Sequence, residues 1–410
     1  MMSDPTFGMT FSRPADEPVP ALGADFSKGL LVETSADADN TAFPIGEPKR
    51  ISTADAGMVA KLGTGLLRDA VNGINAQLNG LNAGADVTIY RVAEGATAAE
   101  TAANIAAALE PTNIAAIPSA VNATPRLIWA GRGAYRADLD TTGPVAAALH
   151  AACEQLLAVA VIDVDDTSAA NAIDARETLN SERIMPVGVA ARVYEGASLV
   201  TRPMGPRVIG LFQRVDSEND GKPFDPIANR AIYGIAGLSR QIPFSLLDGS
   251  TEGQQMLESE VSIVAAGESG VDGAIADGGF VFIGTDNTTT GELWKQIHQV
   301  RGADYLTVKM MEITRQFLGR KITANNTEAW LNSLKFMLRD HKADEDILGY
   351  DVKFRADKNS PEEIRLGHLT VNLGIEPAPA FKVARHEVRR YRDAVEGLVN
   401  DIIARLSTVN

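Results

Sequence analysis

Between residues 126 and 189 strand-like and helix-like runs alternate without a break, and that alternation limits the folds open to the chain. Residues 126–130 read as a strand and 145–158 as a helix. Residues 159–164 are apolar at almost every position, the mark of a strand covered on both faces. Residues 168–179 form a second helix and 183–189 a third strand. Crossovers of this kind are right-handed, so the predicted core is a mostly parallel sheet sandwiched by helices.

The flanks extend the same order. A strand at 29–33 precedes a helix carrying Leu66, Leu67, Ala70, Val71 and Ile74 at helical spacing. A strand at 87–92 and an alanine-rich helix at 97–109 follow. Downstream, 207–213 begins a helix, and 216–291 reads as loops with short apolar runs at 261–264 and 280–284. Helices are predicted at 294–318 and 327–338, then strands at 347–354 and 364–373, closed by the proline-punctuated run 374–381. Val388, Tyr391, Val395, Leu398, Ile402 and Leu406 then recur at helical spacing. At the other end Pro5, Pro14, Pro18 and Pro20 exclude an interior helix, while Phe7, Phe11 and Phe26 point to an extended arm that binds something. The expected organisation is an arm (1–30), an α/β core (31–290, with parts 31–124 and 125–290), a C-terminal domain (291–381) and a C-terminal arm or helix (382–410).

Composition narrows the function. The 410 residues suffice for two or three cores, and 45% hydrophobic content implies a packed protein. A net charge of -15 repels phosphates, so no direct nucleic-acid partner is expected. Cys153 is the sole cysteine, which excludes an intramolecular disulfide and a cysteine zinc site; in its apolar run it reads as a buried, inert thiol. No signal peptide and no membrane insertion are expected, and the chain reads as a soluble product of a reducing cytoplasm.

Few residues suggest chemistry. Asp163-Val164-Asp165-Asp166-Thr167 follows an apolar strand, as in haloacid-dehalogenase-like phosphatases, where the first aspartate attacks phosphorus, the second moves protons and Mg²⁺ bridges them. The competing and preferred reading is that Asp166 or Thr167 caps the helix from Ser168. Gly131-Arg132-Gly133 lacks the third glycine and the Lys-Ser/Thr pair of a phosphate loop, so it reads as a turn. His150, His298, His341, His368 and His386 are scattered without metal-ligand spacing. Lys335, Arg339 and Lys342 share one helix face, either solvated and balanced by Asp340 and Asp344 or presented to an acidic protein. The ends differ in charge: residues 1–40 carry -5 and residues 381–410 carry +2, which suits head-to-tail association of identical subunits.

The order of elements from Trp294 to Phe381 resembles the C-terminal domain of tail sheath proteins from contractile phage tails and related injection machines. Pro125-Arg126-Leu127-Ile128-Trp129-Ala130-Gly131 sits where that family has the strand opening its α/β core. The resemblance implies a subtilisin-like doubly wound α/β core without a Ser-His-Asp set, an α+β C-terminal domain and extended terminal arms. It implies a structural subunit, not an enzyme, with no cofactor, which stacks as six-subunit rings around an inner tube and contracts to drive the tube through an envelope. The implied partners are further copies, the inner tail tube protein, and baseplate and tail terminator proteins; the implied location is the virion, after assembly in the host bacterial cytoplasm. Arms add strands to a neighbour's C-terminal domain in that family, which marks Phe7, Phe11 and Arg13 at one end and Phe381 and Val383 at the other as interaction residues. Lys335, Arg339 and Lys342 are marked as tube-facing. The alternatives are a Mg-dependent phosphatase using Asp163 and Asp165, and another virion scaffold protein. One departure stands out: a strand arm is expected after Phe381, yet 388–406 reads as helix, so either a strand at 381–388 precedes a helical tail or this end is used differently.

Overall fold

Six strands build the central sheet: β1 (Gly29–Thr34), β2 (Pro48–Ser52), β3 (Asp86–Val92), β4 (Leu127–Ala130), β5 (Val159–Asp163) and β6 (Ile184–Val187). The computed structural model describes residues 25–78, 81 and 84–407, so Phe7, Phe11 and Arg13 lie outside the described residues. The strand order is β2-β3-β1-β4-β5-β6, with β2 antiparallel and the others parallel. Strands from before and after residue 125 therefore share one sheet. All six residues of β1 are buried. Successive side chains of a strand point to opposite faces, so both faces of the sheet are covered at its centre.

Two sets of helices do the covering. Leu66–Leu78 packs on Gly205–Glu218, and Ala98–Ala108 and Pro111–Val121 pack on Pro144–Leu156. In the first set the backbones come very close: a Cβ on Gly210 would lie 2.8 Å from the Ile74 backbone. Arg207 fixes the same crossing through Asp69, with Nη2 to Oδ1 at 2.8 Å and Nη1 to Oδ2 at 3.1 Å, both side chains buried.

The 216–291 stretch, read from sequence as loops, contains short elements. Ahead of it β7 (Ala191–Glu195) and β8 (Ser198–Arg202) form a hairpin, and within it β9 (Arg230–Ala231) and β10 (Gly237–Leu238) join small sheets. A helix, Glu252–Glu258, precedes β11 (Ile263–Ala266) and β12 (Phe280–Ile283), which pair antiparallel. Strands of two to four residues are too short to show periodicity.

Next come helices Ile297–Arg315 and Ala324–Ala343, then β13 (Ile347–Phe354), a short helix Pro361–Leu366 and β14 (Val371–Pro377). The strand expected at 364–373 is thus corrected. Ser360 caps the short helix by accepting the Glu363 amide at 3.3 Å, Pro361 opens it, and Gly367 ends it at φ +86°. The run 374–377, expected to close the pair, is instead strand, with Ile375 opposite Tyr350. Around these elements Phe26, Phe224, Tyr305, Leu306, Leu338 and Ile347 make a second, smaller core. Tyr305 meets Phe26 and Phe224 edge-on, with centroids 5.5 and 5.6 Å apart.

A separate unit begins at Pro379. Its residues 379–391 hold no helix or strand, so the strand considered at 381–388 is not formed, and Arg392–Ser407 is a helix.

Candidate assembly surface

The candidate chemistry is consumed by the fold. Asp163 Oδ1 accepts the Met204 and Gly205 amides, both at 2.8 Å, and Oδ2 accepts the Trp129 indole N–H at 2.8 Å. It therefore caps the Gly205–Glu218 helix, 42 residues away, with both oxygens engaged by structural donors. Burial raises its carboxyl, and the three donors offset that only in part. The cap expected at Asp166 or Thr167 is Ser168 itself, whose Oγ accepts the Asn171 amide at 3.1 Å. Asp165 is turned onto the Thr167 amide at 2.9 Å. The crevice lined by Gly133, Ile162 and Val164 encloses about 10 Å³, at most one water. Asp163→Ala is expected to cost about 3 kcal/mol, because two amides and an indole lose their acceptor in a buried site. Chemical denaturation measures it; an unchanged midpoint would contradict the capping role.

The crevice where open α/β sheets bind ligands is also closed from within. The chain reverses its direction of winding between β1 and β4, and there Glu33 fills the space that a Cβ on Gly131 would occupy. Glu33 is fully buried; its Oε1 accepts the Thr34 amide at 2.8 Å, and among the described residues Oε2 has no hydrogen-bond partner. Burial raises its carboxyl above the ordinary 4.5. A carboxyl raised in the fold contributes stability that is complete below its unfolded value and is lost as pH climbs through its folded one. Relative to wild type, Glu33→Gln should therefore gain stability as pH rises from about 4 to 7. A flat or opposite difference between the two melting curves would contradict this.

His150 Nδ1 meets Ser181 Oγ at 2.8 Å, His298 Nε2 meets the Ala378 carbonyl at 3.1 Å, and the Nδ1 atoms of His341 and His368 meet Asp346 and Glu363 at 2.7 and 2.8 Å. Among the described residues no three metal-ligating side chains gather. Cys153 is buried, its thiol pushed up to about 12 by desolvation.

What remains is surface. The β13–β14 hairpin is two-faced: Tyr350, Val352 and Phe354 stand opposite Ile375, Leu373 and Val371 on an apolar face, while Asp351 and Lys353 stand opposite Gly374 and Asn372 on a polar one. Tyr350, Val352 and Ile375 pack on the second core, but Phe354 and Leu373 remain 43% and 37% exposed. Among the described residues neither outer edge of this two-stranded sheet is paired. Such a hairpin is marginal alone and presents unpaired backbone donors and acceptors.

Two buried ion pairs of opposite polarity hold this region to the core. Arg301 Nη2 and Nη1 donate to Asp216 Oδ2 and Oδ1 at 2.6 and 3.0 Å, and Nη2 also reaches the Phe26 carbonyl at 3.3 Å. Arg183 Nη2 donates to Asp304 Oδ1 at 3.0 Å and Nη1 to Oδ2. Sequence reading missed all four residues. The available signal was that Arg301 and Asp304 fall on the apolar face of their own helix, between Ile297 and Tyr305.

Lys335, Arg339 and Lys342 are exposed together on the Ala324–Ala343 helix, away from the buried Leu334, Leu338 and His341. Of the acids expected to balance them, Asp340 accepts from Arg339 at 3.1 Å, but Asp344 is taken by Lys222 at 2.6 Å. The guanidinium of Arg339 lies 5.0 Å from the exposed Phe336 ring. Phe381 and Val383 are exposed. Among the described residues no helix is long and apolar enough to cross a membrane.

The sheet with its ligand crevice filled and the open-edged hairpin have counterparts in fold among solved structures of contractile assemblies. No family model matches the chain. Over 302 residues it is 26% identical to a prophage major tail sheath protein of Pseudomonas aeruginosa strain UCBPP-PA14, covering 70% of this chain and 73% of that protein. In fold it is similar to a chain of the extracellular contractile injection system PVC sheath complex in the contracted state, with TM-score 0.66, 12% identity, and 96% and 100% coverage. Chains of the anti-feeding prophage, from its baseplate and from its contracted helical sheath, each match with TM-score 0.65, 13% identity, and 95% and 100% coverage. The resemblance to the contractile tail sheath family thus holds in sequence and in fold.

Proposed function

We propose that this chain is the structural subunit of a contractile tail sheath, without catalytic activity, whose copies stack as six-subunit rings around an inner tube. The observation that carries the proposal is the two-faced hairpin with unpaired edges and a half-covered apolar end. A strand from another copy would satisfy those edges, and its side chains would cover Phe354 and Leu373. The segment before Phe26, with Phe7, Phe11 and Arg13, is one such strand in this account; the segment with Phe381 and Val383 is another. Baseplate and terminator proteins would engage the ends of the stack, and the 26% identity to a prophage sheath protein supports a place in a phage-like particle.

Contraction that buried a few hundred Å² more apolar surface per subunit would release roughly 5–10 kcal/mol each at ~25 cal/mol per Å². Summed over many copies, that drives a tube through an envelope without nucleotide. The proposal requires the purified chain to polymerise with rising concentration in the absence of metal or nucleotide.

Lys335, Arg339 and Lys342 face the tube in this account. Exposed pairs are individually worth about 0–1 kcal/mol, so the stripe acts as a group and weakens with salt. Reversing all three charges should loosen the extended sheath and spare the contracted one, read as the fraction of extended particles at low ionic strength. Equal effects on both states would remove the assignment.

A further inference from the structure

The open hairpin lies beside the point where its own chain enters the fold. Phe26 is buried in the second core, and Tyr350, Val352 and Ile375 of the hairpin pack on that same core. The entry point is held from several sides. Arg301 donates to the Phe26 carbonyl at 3.3 Å, and Gln213 Nε2 donates to the Ser27 carbonyl at 2.7 Å. The Ser27 hydroxyl donates to Asp216 at 3.1 Å. Ahead of Asp25 stand 24 residues, tethered at this fixed place next to the hairpin.

Those residues carry a strand pattern that fits the hairpin. In Thr6-Phe7-Gly8-Met9-Thr10-Phe11-Ser12, Phe7, Met9 and Phe11 alternate with small or polar residues, so an extended backbone puts all three on one face. The apolar face of the hairpin ends in Phe354 and Leu373, 43% and 37% exposed, and a third strand on either edge would extend that face. Residues 8–25, eighteen in all, separate Phe7 from Phe26 and span at most about 60 Å, against about 17 Å for a five-residue strand. A tether of that length holds the strand near its own hairpin at an effective concentration on the order of 1 mM. Another copy competes on equal terms only when the protein itself approaches that concentration.

Resting on the arm of the sheath proposal, we infer that in the unassembled subunit residues 6–12 add as a third strand to the β13–β14 hairpin of their own chain. The closed subunit covers the open edge and the half-exposed apolar end, the features that invite indiscriminate pairing between copies. Assembly is then a strand swap, in which the arm leaves its own hairpin for a neighbour's, and closure raises the concentration at which polymers appear. A two-stranded hairpin opens locally, so closure protects its amides and leaves the global melting transition in place.

A fluorescent synthetic peptide of residues 1–24 tests this on the full-length chain, kept dilute enough to stay monomeric. Phe7→Asp with Phe11→Asp in the full-length chain removes the apolar face of the strand and leaves the hairpin untouched. The peptide should bind this variant with a Kd below about 1 mM, the tethered concentration, and slow amide hydrogen exchange in 347–354 and 371–377. It should bind the unsubstituted chain at least tenfold more weakly, because the chain's own strand competes. Equal binding to both would show the hairpin vacant in the monomer, overturning self-closure and leaving the sheath proposal standing. Binding that leaves hydrogen exchange in the hairpin unchanged would place the strand elsewhere and overturn the inference. No binding to either chain up to about 1 mM would overturn the inference and the arm assignment together.

Discussion

Arg301→Met is expected to cost the fold about 3–5 kcal/mol, the range for stripping one partner from a buried ion pair. Both side chains are essentially inaccessible, at 2% and 1% exposure. Without the guanidinium, Asp216 keeps only the Ser27 hydroxyl, at 3.1 Å, and its charge is left without compensation. The carboxyl then titrates high in the folded variant, so the deficit is largest at neutral pH and shrinks as acid protonates it. Removing the charge as well, in Arg301→Met with Asp216→Leu, should recover most of the loss, since paired apolar replacements of buried ion pairs are often neutral or better. Denaturant midpoints at pH 7 measure both variants. A double variant as unstable as the single one would show that the loss comes from packing, with the guanidinium 4.7 Å from the Phe212 ring, and not from charge.

Deleting residues 1–25 is expected to abolish polymerisation while sparing the fold. The cut is placed at the edge of the anchored chain: Phe26 is buried against Tyr305, and Arg301 holds its carbonyl. The proposed assembly uses the preceding segment as an arm, so its loss removes an intersubunit strand and leaves Phe26 in the second core. Sedimentation should show a monomer with a wild-type melting temperature. Polymerisation equal to that of the intact chain would exclude the arm assignment.

The parallel core was legible because buried strands are continuous apolar runs. The runs at 126–130, 159–164 and 183–189 lie within one or two residues of β4, β5 and β6. The second core was legible in its helices and in β13, all long enough for their periodicity to show. The error at 364–373 came from treating apolar residues as strand while passing over Ser360-Pro361 and Gly367, which start and stop a helix. The ion pairs were hidden for a different reason. Arg301 and Asp216 are 85 residues apart and Arg183 and Asp304 are 121 apart, and no local pattern states which charges will meet. Asp163 shows the converse: its local pattern suggested an enzyme, and its partners at Trp129, Met204 and Gly205 assign it to structure. The surface residues carry the weakest signal, because exposed lysines such as Lys335 and Lys342 obey no packing rule within one chain.

Negative-stain electron microscopy of the purified, full-length chain, concentrated without nucleotide or metal, tests the central claim most directly. Hollow cylinders of uniform diameter, built of stacked rings and lengthening with concentration, are the expected result. Monodisperse monomers at every concentration, or closed shells in place of tubes, would contradict it.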